Sequence, residues 1–302
     1  MHIDFGIAFA GLIVGFVIGL TGVGGGALLT PVLVLFFGIT PAAAVSSDIV
    51  ASLVLKPIGG SVHLRRGTVN LRLVLWLAIG SVPGALGGTY VLGHMHGPHV
   101  DNFIKTTLGW ILVVAAAAMI AKAGIQARRK IEAALPGTLT IHPLRTAAIG
   151  VVGGFVVGMT SVGSGSLMIV LLMILYPRIS MRELVGTDLI QAIPLVGAAA
   201  IGTSIWGHLQ ISLVGSLLLG AIPAVWAGAH FSSKASDHYI RPVIILAMSF
   251  SALKLLGVSN QVLGKLVVVG VAVTVGTLLT MRSRTAKRAA TAEVANADAV
   301  SP

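Results

Sequence analysis

Two short stretches of this sequence combine residue types and spacings suited to holding a negative ion. The first reads Thr21-Gly22-Val23-Gly24-Gly25-Gly26-Ala27 and the second Thr160-Ser161-Val162-Gly163-Ser164-Gly165-Ser166, each set between apolar runs. Three consecutive glycines cost a helix interior roughly 1 kcal/mol each relative to alanine, so the chain is expected to break there. A helix that restarts after a break aims unpaired N–H groups, and the positive end of its dipole, at whatever lies before it. Glycine lets an oxyanion approach the backbone, and serine adds hydroxyl donors. The expected binding residues are Gly24, Gly25, Gly26 and Ala27 in the first stretch, and Gly163, Ser164, Gly165 and Ser166 in the second. Their donors would be the N–H groups around Gly25–Leu28 and Ser164–Leu167. The competing reading is that these glycines only permit close helix packing.

Ionisable residues within apolar runs add to the site. Asp48 and Asp188 occupy matching positions in the two halves of the chain, and Lys56 lies deeper in the first. A charge inside a membrane segment costs about 3 kcal/mol or more, which makes each a functional candidate. Asp48, Ser52 and Lys56 fall at i, i+4 and i+8, roughly one helical face. Lys56 is expected either as the cationic partner of an anion or as a group whose proton is exchanged, and Gln191 as a further polar contact. Asp48 and Asp188 have two open roles, in coupling or in capping hairpin backbone groups. The tract His94-Met95-His96-Gly97-Pro98-His99 has only Asp101 as a nearby carboxylate and reads as an interfacial loop, so no metal site is assigned. Gly22–Ala27 also fits a dinucleotide fingerprint, but no strand precedes it and its neighbours are apolar on all sides.

The elements that position these residues follow from composition. Of 302 residues, 56% are hydrophobic and 10% charged, too little charge to solvate a globule of this size. Mean hydropathy is +0.98. Several apolar runs reach the ~20 residues that cross a bilayer, and none alternates with period two, which leaves helices as the spanning structure. The net charge of +11 sits in short clusters between apolar runs, as orientation signals do. No basic recognition helix is present, so nucleic acid is not an expected partner. With zero cysteines, disulfides and thiolate chemistry are excluded, and no cofactor is called for. The first apolar run has no basic leader or small-residue cleavage site and reads as structural.

The chain also repeats itself. Residues 15–33 and 154–172 share 10 identities over 19 positions, and the correspondence continues through Ser47-Asp48 with Thr187-Asp188 and Gly80–Pro83 with Gly220–Pro223. Each half is expected to be a broken re-entrant hairpin followed by three transmembrane helices, all α. First arms of 15 residues, Gly6–Leu20 and Thr146–Thr160, rise about 22 Å and would not cross alone. Placing the basic joints on the cytoplasmic side then gives the halves opposite orientation, an inverted repeat. The expected organisation is 5–121 for the first repeat, 122–145 for a cytoplasmic connector and 146–256 for the second repeat. A last helix at 262–280 and a disordered basic tail at 282–302 complete it. The N-terminus is expected outside and the C-terminus in the cytoplasm of a bacterial inner membrane.

The paired segments TGVGGG and TSVGSG, Pro31 after the first, and the Gly-x-x-Pro-Gly pattern at Gly80–Gly84 resemble the TauE/SafE family of sulfite exporters. The resemblance implies secondary transport, usually outward, of a small sulfur-containing anion such as sulfite or an organosulfonate, and no enzymatic activity. It extends to Gly22, Gly24, Gly25 and Gly26 and to the matching Ser161, Gly163, Ser164 and Gly165. The second copy departs from the first with serine at 161 and 164 and no proline at 170. Two other readings stay open: a cation or metal permease using the intramembrane aspartates and the histidine tract, and a membrane scaffold that transports nothing. An intramembrane enzyme would have Asp48 and Asp188 as its only acidic pair. Expected partners are the anion and the lipid bilayer, and a homo-oligomer is left open.

Overall fold

The computed structural model describes residues 4–21, 25–65, 67, 69–95, 100–128, 140–231, 237–259 and 261–264. Among them the chain is all α, with no strand. The helices are α1 (Phe5–Thr21), α2 (Leu29–Phe36), α3 (Pro41–Arg65), α4 (Leu71–His94) and α5 (Val100–Arg128), then α6 (Pro143–Thr160), α7 (Leu167–Leu175), α8 (Met181–Trp206), α9 (Ile211–Phe231) and α10 (Asp237–Leu255). A 3-10 turn at Gly25–Ala27 leads into α2. Six of these helices are long and apolar enough to cross a membrane, by length and composition. Large apolar side chains such as Phe5, Phe9, Leu75, Trp110, Leu219 and Trp226 face outward. A water-facing surface would not carry so many, whereas hydrocarbon accommodates them.

Both breaks fall where the glycines put them, and each makes its chain turn back. A methyl group built on Gly6, at the start of α1, would lie 3.2 Å from the ring of Phe37, just past the end of α2. In the second hairpin the Tyr176 hydroxyl, after α7, accepts the His142 N–H ahead of α6 at 2.9 Å, and the two rings stack. Each hairpin therefore returns to the end from which it left. One expectation is corrected: α6 begins three residues earlier than Thr146 and, at 18 residues, is long enough by itself to cross a bilayer. Pro143 at its first turn explains this, since its fixed φ favours helix and its missing N–H costs nothing there. Likewise α5 runs to Arg128, so the first part of the expected connector is helical.

The halves pack reciprocally. α1 lies along α9, and its counterpart α6 lies along α4, the counterpart of α9. Both contacts are built on small residues four apart. Methyl groups on Gly80, Gly84 and Gly88 of α4 would sit 2.0, 2.4 and 2.3 Å from the carbonyl oxygens of Ala147, Val151 and Phe155. Gly150, Gly154 and Gly158 of α6 approach α4 in the same way. Small-xxx-small packing thus exists here, but on α4 and α6 as well as near the breaks.

The paired residues rise together along α4 and α6, and along α1 and α9, so each pair is parallel. Gly93, near the end of α4, meets Trp206 at the end of α8, shortly before α9 begins. α4 and α9 are therefore opposed, and so are α1 and α6. Asn70 ties the α3–α4 joint to the start of α8 by donating to Glu183 at 2.9 Å, and its backbone N–H donates to Thr187 at 3.0 Å. One end of the bundle holds these joints with Arg65, Arg72, Arg145 and Arg178; the other holds Asp4, His208 and Gln210. Gly24, His96, His99, most of the connector, the last expected helix beyond Gly264 and the tail lie outside the described residues.

Candidate substrate-binding site

The two breaks meet. A Cβ on Gly26 would fall 1.8 Å from the Ser161 carbonyl oxygen, so only glycine allows the first break to rest on the second. Ser161 closes α6 in the left-handed conformation (φ 59°), donating its N–H to the Val157 carbonyl at 2.7 Å. Gly163 and Gly165 also have positive φ, at 120° and 93°, which lets the chain fold through the break in five residues. Gly25, Gly26, Ala27, Gly163, Ser164 and Ser166 are all buried, and Gly165 is partly so.

Lys56 crosses from the first half to the second. Its Nζ donates to Ser164 Oγ at 2.6 Å, and the side chain is only 9% exposed. Both Asp188 and Asp48 exert a Coulombic pull on it, Asp188 the more strongly. Asp48 is fully buried eight residues earlier on α3. Its Oδ2 accepts the Thr30 hydroxyl at 2.8 Å, and its Oδ1 has no hydrogen-bond partner. The expected alternative, that Asp48 caps backbone groups, does not match this contact: the carboxylate is held by a side chain of α2. Capping falls to other residues, Asn70 for α4 and Ser180 for α8, whose side chains accept the Leu73 and Glu183 N–H groups.

Gln191 on α8 donates its Nε2 to Ser81 Oγ at 2.9 Å, while its Oε1 has no partner. Turning the amide over lets Oε1 accept from the Ser81 hydroxyl and frees two N–H donors. The hydroxyls of Ser46 and Ser47, buried ahead of Asp48, likewise have no partner. Thr30, Ser46, Ser47 and Ser81 were not singled out by sequence reasoning. Their signal was a run of small polar residues inside an otherwise apolar helix, and a threonine beside Pro31.

The backbone donors need one correction. The Leu28 N–H donates to the Gly25 carbonyl at 2.9 Å and the Leu167 N–H to the Gly163 carbonyl at 3.1 Å, so these two close their own turns. The remaining donors and the serine hydroxyls are the ones that a ligand would use. Away from this cluster, Asp4, Ile39, Gln210 and Ser216 line a cavity of about 500 Å³ at the end of the bundle that carries the α1 and α9 starts. His94 ends α4 rather than lying in a loop, its ring against Tyr90. Among the described residues no three His, Asp or Glu side chains gather as metal ligands would.

Buried lysine, paired breaks and apolar exterior together describe a polar site inside an apolar helical bundle, and residues 7–255 match the family described as Sulfite exporter TauE/SafE. The chain belongs to the TauE/SafE family. Its relatives include the Probable membrane transporter protein YjnA of Bacillus subtilis (strain 168), 38% identical over 258 residues that cover 83% of this chain and 98% of the relative. YdhB and YunE of the same organism, each named a probable membrane transporter protein, are 23% and 24% identical and cover 81% and 79% of this chain. No solved structure matches it. This TauE/SafE protein is accordingly a multi-pass membrane transporter, not an enzyme.

Proposed function

We propose that this protein is a secondary transporter, working as an exporter, of a small sulfur-containing oxyanion such as sulfite or an organosulfonate. The observation that carries the reading is the Lys56–Ser164 contact, which sets a buried ammonium of one half against the break of the other at 2.6 Å. An oxyanion entering there would replace Ser164 as the ammonium's partner and take donors from Ser164, Ser166 and the backbone N–H groups of Gly25, Gly26 and Gly165. A reoriented Gln191 amide adds two more donors. These are charge-assisted or backbone hydrogen bonds in a dry interior, where they are strongest.

In the bilayer the two halves have opposite orientation, with the arginine-bearing end of the bundle in the cytoplasm and the N-terminus outside. Lys56 stands 15 residues into α3, roughly 22 Å along a helix of about 37 Å, well inside the hydrocarbon. Since the site is buried, movement of the hairpins relative to α3 and α8 would open it to each side in turn. At the second break the contact is a lysine ammonium, which favours an anion there over a cation.

Purified protein screened by thermal shift against sulfite, sulfate, thiosulfate, sulfoacetate and taurine tests the reading. Stabilisation by sulfite or sulfoacetate, lost in Lys56→Ala, is expected. Equal stabilisation of wild type and variant by every compound would refute the assigned site.

A further inference from the structure

We propose that Asp48 is the proton-carrying group of the transport cycle, protonated as the anion settles beside Lys56 and deprotonated as it leaves. The inference rests on the reading of Lys56 and the second break as the anion site. It begins from a charge count. Among the described residues, the buried Asp, Glu, Lys, Arg and His side chains are Asp48, Lys56 and Asp188, at 0%, 9% and 2% exposure. Ionised together they sum to one negative charge. Adding a monoanion gives two and the sulfite dianion three, with one ammonium to answer three negative groups in a low-dielectric interior, an arrangement that burial penalises heavily.

The contacts of Asp48 make it the carboxylate placed to give way. Asp188 also lies near enough to Lys56 to attract its charge. Asp48 has Oδ2 engaged by Thr30 and Oδ1 without a hydrogen bond. A methyl group built on Gly25 would lie 3.5 Å from that oxygen, so Oδ1 faces the first break. The groups around Asp48 are Ser52 and Lys56 on its own helix, Thr30 of α2 and Ser161 of the second break; the Ser52 and Ser161 hydroxyls lie close to the carboxylate, though neither has hydrogen-bond geometry to Oδ1. Of these only Lys56 ionises. Among the described residues the other ionisable groups of the helices packed on α3 stand apart: Asp101, Lys105, Arg145 and His230 are exposed, and Glu183, at the start of α8, is half-buried against Asn70. An anion that takes Lys56 removes the one positive charge near Asp48.

The step balances simply. Oδ1 forms an O–H bond with a proton delivered by water from the side to which the site is open, and on the other side that bond breaks and the proton returns to water. One proton crosses with each anion, in the same direction.

The test uses the full chain in proteoliposomes loaded with labelled sulfite and a trapped pH-sensitive dye, buffered above the second ionisation of sulfite. Net sulfite efflux from wild type is expected to make the lumen more alkaline. In Asp48→Asn, whose amide oxygen still accepts from Thr30, the ratio of protons to sulfite is expected to fall by at least about tenfold, within the span of site-to-site couplings. Exchange of internal for external sulfite, which needs no net proton movement, persists in this variant. A proton carried on bisulfite itself crosses in both proteins, so the comparison isolates Asp48. An unchanged ratio in Asp48→Asn, or wild-type efflux with no proton movement, overturns the proposal while leaving the anion site intact. Absence of sulfite exchange in wild type overturns both. If Asp48→Asn does not fold, Asp48→Glu decides: a shifted pH profile of net efflux supports the role and an unshifted one refutes it.

Discussion

Thr30 on α2 donates its hydroxyl to Oδ2 of Asp48 on α3 across 2.8 Å, and both side chains are fully buried. The bond joins the returning arm of the first hairpin to the helix that carries Lys56. Hydrogen bonds to charged groups contribute about 1.5–3 kcal/mol, so Thr30→Val, which keeps shape and removes the donor, is expected to lower stability by roughly that much. Thr30→Ser keeps the donor and should lose far less. Thermal unfolding of the two variants in detergent checks this, and equal losses would contradict it.

Gly26→Ala places a Cβ within 1.8 Å of the Ser161 carbonyl and must push the breaks apart. Overpacking of this kind costs typically 1–3 kcal/mol or more. The comparison is Gly124→Ala in α5, where nothing lies within 4 Å of the added methyl. There the substitution favours helix and is expected to be neutral or slightly stabilising. Melting temperatures that fall alike in both would show that the breaks are not in contact.

How far the sequence leads can be seen at these same positions. The breaks at Gly25–Ala27 and Ser161–Ser166 were legible because glycine runs inside apolar segments carry a local cost that no packing hides. Lys56 was legible because a charge in hydrocarbon needs a reason. Partners were not, since Ser164 lies 108 residues beyond Lys56 and only the fold brings them together. The start of α6 was misplaced because Arg145 looked like connector, whereas Pro143 and the Tyr176 hydroxyl hold that turn helical. Gly80 was read as a repeat marker and Gly84 as part of the family pattern, and their role, with Gly88, in the α4–α6 contact needed the facing helix.

Tyr176→Phe removes the hydroxyl that accepts the His142 N–H and also bonds Thr146. A net cost of about 1 kcal/mol per hydrogen bond is expected, confined to the open end of the second hairpin. Hydrogen exchange should rise in residues 140–147 and stay unchanged at the α1 start. Uniform acceleration across the bundle would mean that the hairpin does not open locally.

Asn70→Ala deletes an N-cap to Leu73 and the donor to Glu183. Loss of such a cap costs roughly 0.5–2 kcal/mol. Asn70→Asp keeps the cap but sets a carboxylate against Glu183, so it should recover less stability than the cap alone predicts. Full recovery, read from unfolding midpoints, would show that the Glu183 contact contributes nothing.

The central claim is that a sulfur oxyanion is held by Lys56 and the second break. Flux of radiolabelled sulfite in proteoliposomes tests it most directly, comparing wild type with Lys56→Ala and Ser164→Ala at equal incorporation. The account predicts sulfite flux in wild type, a loss of at least about tenfold in Lys56→Ala for a missing charged partner, and a smaller loss in Ser164→Ala. Wild-type flux that survives unchanged in Lys56→Ala would contradict it.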